Sequence, residues 1–130
     1  MTCAVYVSNA ESGNISVFAL DEASGKLAPL QDVAVGGMLM PLGISPGRQR
    51  VHVARRSGPP ARGTFATDAA TGKPSPLGEA PLPHSMAYIA TDRTGRWLLS
   101  ASYGGNLVAI SPIGADGLPQ PAQEVIGTGP

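Results

Sequence analysis

The sequence predicts an all-β fold built from repeated sheets of four antiparallel strands. A polar turn between two apolar segments occurs at residues 42–54 and again at residues 88–101. Glycines that each follow a polar residue recur at intervals of 47 and 45 positions, at Gly25, Gly72 and Gly117. Four short apolar segments per interval, separated by turn-forming residues, are typical of the blades of a β-propeller.

The repeated turn is the strongest local signal for this fold. Its first copy contains Pro46 and Gly47, and its second copy contains Asp92 and Gly95. Proline presets one backbone dihedral, glycine permits the left-handed region, and aspartate accepts hydrogen bonds from nearby backbone N–H groups. The apolar segments on either side of each turn are therefore predicted to pair as an antiparallel hairpin.

Three strands are predicted in the first repeat unit and four in each of the next two. The first unit, residues 1–37, has strands at residues 5–9, 13–20 and 30–35. The second, residues 38–83, has strands at 39–44, 51–54, 62–67 and 77–82. The third, residues 84–130, has strands at 86–90, 97–102, 105–110 and 123–126.

This set of strands predicts a partial propeller with two full blades and three strands of a seam blade. In a closed propeller the two chain ends can share one blade, which removes two exposed sheet edges. A ring needs roughly four blades or more. We therefore expect this chain to be the first part of a longer propeller, or to close a ring with further copies of itself.

Composition narrows the range of functions. Nine basic and nine acidic residues give a formal net charge of zero, so no nucleic-acid-binding surface is predicted. The single cysteine, Cys3, allows no internal disulfide and fits a reducing compartment. No apolar run is long enough for a bilayer and no signal-peptide pattern opens the chain, so we expect a cytoplasmic protein without a membrane partner.

No metal site and no cofactor are predicted. The two histidines, His52 and His84, are far apart in the sequence and far from Cys3, which does not match the spacing of a zinc site. The sequence has no P-loop, no dinucleotide fingerprint and no nucleophile elbow. His52 lies in the middle of an alternating strand and is expected to face a neighbouring sheet or solvent.

Three segments, residues 5–27, 41–54 and 84–110, carry a resemblance to a known family. The most specific stretch is TDRTGRWLLSASYGGN at residues 91–106. Together they resemble the bacterial propeller-type 6-phosphogluconolactonases of the lactonase family, whose propeller has seven blades. The resemblance covers nearly all of this chain but only the first part of such a protein, and the family's usual Ser-Pro-Asp turn reads Ser-Pro-Gly at residues 45–47. The residues that match the family's pattern in the specific stretch are Asp92, Gly95, Ser102, Tyr103 and Asn106.

The resemblance implies hydrolysis of 6-phosphogluconolactone to 6-phosphogluconate, a step of the pentose phosphate pathway. This reaction needs a water aimed at the lactone carbonyl, a proton acceptor and donors for the developing oxyanion. It also needs cationic or hydroxyl groups for the phosphate. The family's proposed catalytic His, Arg and Glu residues belong to blades that follow Pro130, so the catalytic residues are unknown and the chain alone is expected to be inactive.

Propeller geometry selects candidates for binding a phosphorylated sugar lactone. Ligands usually meet one mouth of the central channel, which is built by loops leading into the first strand and loops joining the second and third strands. The candidates on these loops are Arg55, His84, Ser85, Tyr103 and Asn106. Arg55 can pair with a phosphate, and His84 can donate a hydrogen bond or move a proton. A solvated loop or turn residue is the alternative interpretation of each.

Two other interpretations stay open. One is a non-catalytic propeller that binds a protein, a peptide or a small ligand at its mouth, since a fold does not determine a function. The other is a short chain that closes its ring by self-association through exposed blade edges. A single copy would then leave two sheet edges unpaired.

Overall fold

The computed structural model describes residues 3–128 of the chain, which form eleven β-strands and contain no α-helix. Nothing in this range is a helix that could cross a membrane. The strands are β1 (Cys3–Asn9), β2 (Asn14–Leu20), β3 (Leu27–Ala34), β4 (Leu39–Ile44), β5 (Arg50–Arg55), β6 (Ala61–Thr67), β7 (Pro74–Pro81), β8 (Tyr88–Thr91), β9 (Trp97–Ser102), β10 (Leu107–Pro112) and β11 (Glu124–Gly127).

The strands form three antiparallel sheets in which each strand pairs with its neighbour in sequence. The first sheet has the order β1-β2-β3, the second β4-β5-β6-β7 and the third β8-β9-β10-β11. The predicted all-β class and the three, four and four strands are thereby confirmed. Each sheet falls within one predicted unit, and the exact unit bounds stay a prediction. Residues 1–2 and 129–130, at the outer ends of these units, lie outside the described residues.

The periodic glycines occupy equivalent turns. Gly25, Gly72 and Gly117 all have positive φ, at 75°, 76° and 82°, a conformation that costs other residues more than glycine. In the first two turns the glycine N–H donates to the carbonyl of Asp21 or Asp68, at 2.7 Å in both cases. Hydrogen bonds within these turns also lower the pKa of both aspartates.

The hairpin turn between β8 and β9 is closed by Asp92, as predicted. One of its carboxylate oxygens accepts from the backbone N–H groups of Arg96 and Trp97, at 3.1 and 3.2 Å. The other accepts from the hydroxyl of Thr94 at 2.6 Å. Gly95 takes the positive φ of 72° that this turn requires. The turn therefore uses aspartate as the hydrogen-bond acceptor and glycine for the left-handed backbone, as predicted.

An apolar core joins the first and second sheets. Its buried members lie on β2, β4, β5 and β6 and are Ile15, Val17, Leu39, Val53 and Phe65. Burying one such aliphatic or aromatic side chain contributes about 1.5–3 kcal/mol. The hydroxyl of Tyr6 also donates to the carbonyl of Gly72, so β1 is tied to the turn that follows β6.

The opposite face of the second sheet is partly polar. Ala54 joins an apolar cluster that includes Ile89 and Leu98 of the third sheet. The strand register pairs His52 with Thr64 and Ala54 with Arg62, so these four side chains share that face. His52, Thr64 and Arg62 are all buried, and Nδ1 of His52 lies 2.9 Å from Oγ1 of Thr64. His52 therefore faces a neighbouring sheet, the first of its two expected surroundings.

The buried position of His52 makes the fold sensitive to acid. Burial, together with the positive charges of Arg62 and Arg50, lowers the pKa of His52 from 6.5 to about 4. The unfolded chain therefore binds a proton at a higher pH than the folded chain does. The free energy of unfolding is expected to fall by about 3 kcal/mol between pH 7 and pH 4 because of this residue.

Urea unfolding at a series of pH values between 7 and 5 measures the larger part of this effect while most aspartates and glutamates stay ionised. The His52→Gln variant keeps a hydrogen-bonding group near Thr64 and is expected to lose most of the pH dependence. The His84→Gln variant, which changes an exposed histidine, should retain it. Equal pH dependence in wild type and His52→Gln would contradict this assignment.

Candidate functional site

All five predicted site residues lie at one end of the three sheets, the end at which β1, β5 and β9 finish. We call it the mouth end. Arg55 is the last residue of β5, and the connection from β7 to β8 carries His84 and Ser85. Tyr103 and Asn106 lie in the turn from β9 to β10. The structure thus distributes the candidates over two neighbouring sheets.

His84 is the centre of a small hydrogen-bonded cluster. Its Nδ1 lies 3.3 Å from the hydroxyl oxygen of Ser85 and 3.3 Å from that of Ser102. The oxygen of Ser102 also accepts the backbone N–H of Gly105 at 2.9 Å. When a hydroxyl donates to Nδ1, the imidazole proton resides on Nε2, which then becomes a hydrogen-bond donor. The cluster can therefore fix both the orientation and the tautomer of an exposed histidine.

The glycines of the β9–β10 turn let His84 approach the backbone. A Cβ atom added to Gly105 would lie 2.8 Å from Cγ of His84, whereas one added to Gly104 would lie 3.6 Å from Cε1. The first distance is a clash and the second is an ordinary contact. The imidazole thus rests against Gly105, which only a residue without a side chain allows.

Tyr103 and Asn106 present their side chains from the same turn. Tyr103 is 76% exposed, and its carbonyl accepts the N–H of Asn106 at 3.4 Å. Asn106 has a positive φ of 51°, a conformation that asparagine adopts more readily than most residues do. Both side chains are exposed at the mouth end. Both residues also stabilise the turn itself, which is the alternative interpretation given for them.

Arg55 lies on the neighbouring sheet and is already paired. Its Nη1 is 3.0 Å from Oε1 of Glu79, and its aliphatic stem rests against Gly37. Among residues 3–128, no hydrogen bond links Arg55 to the other four candidates. The two groups are nevertheless neighbours, because Ala54 shares an apolar cluster with Met86, two residues beyond His84.

Sequence reasoning missed two residues of this site. Ser102 was seen only as part of the family pattern, although its place on the same strand face as buried Leu98 and Ser100 indicated an inward hydroxyl. Glu79 left no local signal, since an acidic residue on an outer strand is usually solvated. Its ion pair with Arg55 depends on how β5, β6 and β7 align.

A cleft lies at the opposite end of the sheets and contains none of the candidates. It has a volume of about 690 Å³ and is bordered by β1 and by the turns after β4 and β6. The carboxylate that lines it, Asp68, accepts the N–H groups of Ala70 and Thr71 at 2.9 and 2.8 Å. Because that carboxylate is used by its own turn, we place the candidate site at the mouth end. The same part of the chain, residues 3–128, holds no cluster of three or more His, Cys, Asp or Glu residues that could bind a metal.

Comparison with known proteins gives consistent matches over nearly the whole chain. A family model described as "Lactonase, 7-bladed beta-propeller" matches residues 3–130. The 6-phosphogluconolactonase of Serratia proteamaculans (strain 568) is 42% identical over 125 residues, covering 95% of this chain and 37% of that protein. The 6-phosphogluconolactonase of Yersinia pestis (strain Pestoides F) is 43% identical over 127 residues, covering 96% and 37%. This chain therefore spans little more than a third of the length of these curated relatives.

Solved structures share the fold. A Bacteroides uniformis ATCC 8492 protein, described as a candidate 6-phosphogluconolactonase, matches with a TM-score of 0.82 and 26% identity over 98% of this chain and 38% of that one. The periplasmic gluconolactonase of Pseudomonas aeruginosa matches with a TM-score of 0.77 and 23% identity over 96% of this chain and 37% of that one. At the latter identity the likeness concerns the fold alone.

The contact between His84 and Gly105 gives a matched pair of substitutions. Gly105→Ala is expected to displace the imidazole and weaken its contact with Ser102, because the new methyl group would overlap the ring. Gly104→Ala should leave the ring in place, because its methyl group would meet His84 at an ordinary distance. The ¹H and ¹⁵N shifts of the His84 side chain report the change. Equal shifts in the two variants would contradict the described packing.

Proposed function

The chain belongs to the lactonase family of seven-bladed β-propellers, and we propose that it serves the hydrolysis of 6-phosphogluconolactone to 6-phosphogluconate in the pentose phosphate pathway, in the cytoplasm. One observation carries the proposal, the identity of 42–43% with 6-phosphogluconolactonases over 95–96% of the chain. Because the chain spans 37% of the length of those relatives, the proposal for residues 3–128 concerns how they bind the substrate.

The chemistry assigns distinct tasks to the mouth-end residues. Hydrolysis adds water to the lactone carbonyl carbon, passes through a tetrahedral oxyanion and breaks the ring C–O bond to leave a carboxylate and a hydroxyl group. Hydrogen-bond donors that are already oriented before the reaction stabilise the developing charge without having to reorganise. In our proposal, Nε2–H of His84 is such a donor for a substrate oxygen, and the hydroxyl of Tyr103 and the amide of Asn106 contact the sugar hydroxyl groups.

The phosphate is assigned to Arg55. Its pair with Glu79 is partly exposed, with 22% and 53% of the two side chains accessible, and such pairs contribute roughly 0–1 kcal/mol. A phosphate dianion accepts charge-assisted, bidentate hydrogen bonds from a guanidinium. Replacing the Glu79 carboxylate by a substrate phosphate therefore costs little free energy. The phosphate dianion also brings two negative charges to the guanidinium, where the carboxylate brought one.

Binding of the stable product 6-phosphogluconate, followed by NMR, tests this assignment. His84→Gln and Arg55→Gln are each expected to weaken binding about tenfold, the loss of one charged or well-placed hydrogen bond. Arg93→Gln, an exposed arginine in the turn at the opposite end of the sheets, serves as the control and should leave the affinity unchanged. Equal affinity for gluconate, which lacks the phosphate, would contradict the role of Arg55.

A lactonase assay on the same samples separates catalysis from binding. The spontaneous opening of 6-phosphogluconolactone sets the baseline, and the assay compares wild type with the three variants. Turnover above the baseline that falls in His84→Gln and Arg55→Gln would support a catalytic contribution of this chain. Product binding without such turnover is the expected result, because the chain alone is expected to be inactive, and absence of both binding and turnover would contradict the proposal.

We also propose that copies of this chain associate through the third sheet. The strand register places Tyr88, Leu99 and Ile126 on one face, and they are 66%, 44% and 46% exposed. Contiguous exposed apolar residues of this kind mark interaction surfaces.

Light scattering coupled to size exclusion measures this association. Wild type is expected to elute with at least twice the 13.2 kDa mass of one chain, and Leu99→Lys should reduce that mass because it places a charge on the apolar face. Leu27→Lys, at an exposed position of the first sheet, is the control and should elute as wild type does. A wild-type monomer at all concentrations would contradict the proposal.

A further inference from the structure

Ser102 is the buried member of the cluster around His84. It is the last residue of β9 and is 3% exposed. Its hydroxyl oxygen accepts the backbone N–H of Gly105 at 2.9 Å and lies 3.3 Å from Nδ1 of His84. The side chain of Ser102 is therefore held between a backbone donor and the imidazole, where water has almost no access.

These two contacts determine where the hydroxyl proton of Ser102 goes. A serine hydroxyl has one proton to donate and two lone pairs to accept with. The N–H of Gly105 uses one lone pair, and within residues 3–128 the other partner of this hydroxyl is Nδ1 of His84. If Nδ1 carried a proton itself, the buried hydroxyl would have no acceptor for its own proton, which is unfavourable. The hydroxyl of Ser102 therefore donates to Nδ1.

Ser85 is the second hydroxyl beside this nitrogen, also at 3.3 Å. Its side chain is partly exposed, so it can donate its proton to water instead. A neutral Nδ1 has one lone pair in the plane of the ring and accepts one well-aligned hydrogen bond. The buried hydroxyl of Ser102 is thus the one that requires Nδ1 as an acceptor.

The packing of the imidazole leaves its second nitrogen open. A Cβ atom on Gly105 would lie 2.8 Å from Cγ and 3.0 Å from Cδ2 of His84, so the ring rests on this backbone. Among residues 3–128, no hydrogen bond involves Nε2, whereas Nδ1 faces the two serines. Because His84 is exposed, an Nε2–H group is available to a ligand at the mouth end.

The second sheet fills the equivalent place in the opposite way. Arg55 ends β5 as Ser102 ends β9, and the stem of Arg55 lies where a Cβ atom on Gly37 would be. Gly37 belongs to the connection into β4, as His84 belongs to the connection into β8. The large side chain thus comes from the strand in the second sheet and from the connection in the third. A small residue at the end of β9 leaves room for the imidazole, and serine also provides the proton for Nδ1.

We propose that Ser102 is a positioning residue that orients His84 and keeps its proton on Nε2, so that the mouth end prefers ligands with a negatively charged oxygen at C1. The choice of ligand rests on the proposed function. A carboxylate, or the oxyanion that develops during hydrolysis, accepts a charge-assisted hydrogen bond from Nε2–H, which is roughly twice as strong as one to a neutral hydroxyl. An Nε2 without its proton would repel the same oxygen.

Long-range ¹H–¹⁵N spectra at about pH 8.5, where imidazoles are neutral, test the role of Ser102 without any ligand. Wild type is expected to show one His84 tautomer with the proton on Nε2, and Ser102→Ala a mixture of both; His84→Gln assigns the signals. Ser100→Ala is the matched control, because it removes a buried hydroxyl of the same strand that bonds to the carbonyl of Ala109, and it should keep the single tautomer. Ser85→Ala should keep it as well. Two tautomers in wild type, or a mixture in Ser85→Ala but not in Ser102→Ala, would overturn the proposal.

Two phosphorylated ligands test the predicted preference. 6-Phosphogluconate has a carboxylate at C1, where glucitol 6-phosphate has a hydroxymethyl group, and both carry the same phosphate. Wild type and Ser100→Ala are expected to bind 6-phosphogluconate about tenfold more tightly, and Ser102→Ala should reduce this ratio to about threefold or less. An unchanged ratio in Ser102→Ala would overturn the preference. Failure of wild type to bind either ligand would contradict the proposed function together with this preference, while the spectra decide the role of Ser102 on their own.

Discussion

The second sheet packs against the first sheet on one face and against the third on the other. This burial on both faces determines which residue types its strands can carry. Four consecutive residues of β5, from 51 to 54, are buried, which is unusual for a strand with one solvated face. Alternation directs Val51 and Val53 towards the first sheet and His52 and Ala54 towards the third. The interface between the first and second sheets consists of apolar side chains. The second interface combines apolar side chains with the buried side chains of His52 and Arg62, so its stability is expected to depend on pH.

The mouth end depends on the same arrangement. Because Ala54 and Met86 share one cluster, the end of β5 and the connection into β8 are held side by side. His84 is then positioned by Ser102 and by the bare backbone of Gly105. A side chain fixed in this way loses little conformational entropy when a ligand arrives, which is the basis of preorganised recognition. In the proposed function, substrate recognition at this end therefore relies on rigid sheets and short turns.

Local chemistry made most of the fold predictable from the sequence. The turn at Asp92 and Gly95 follows from what aspartate and glycine can do within a few residues, and so do the periodic glycine turns. What a strand face meets across an interface depends on tertiary packing, so the pattern around His52 could not tell a neighbouring sheet from solvent. The contact of His84 with Ser102 spans eighteen positions, and the pair of Arg55 with Glu79 spans twenty-four. Neither spacing has a periodic signature, so the candidate residues were predicted without their partners.

Pairing between consecutive strands also has a consequence for how the protein forms. All strand pairs of residues 3–128 join elements that follow one another in the chain, so each sheet closes only short loops during folding. A sheet can assemble as soon as its own strands are available, before the next segment has been synthesised. The hairpin of β1 and β2 can thus form before the strands of the second sheet are available, and each later sheet can dock onto a neighbour that has already folded. The sheets would then assemble in the same order in which they follow one another along the chain.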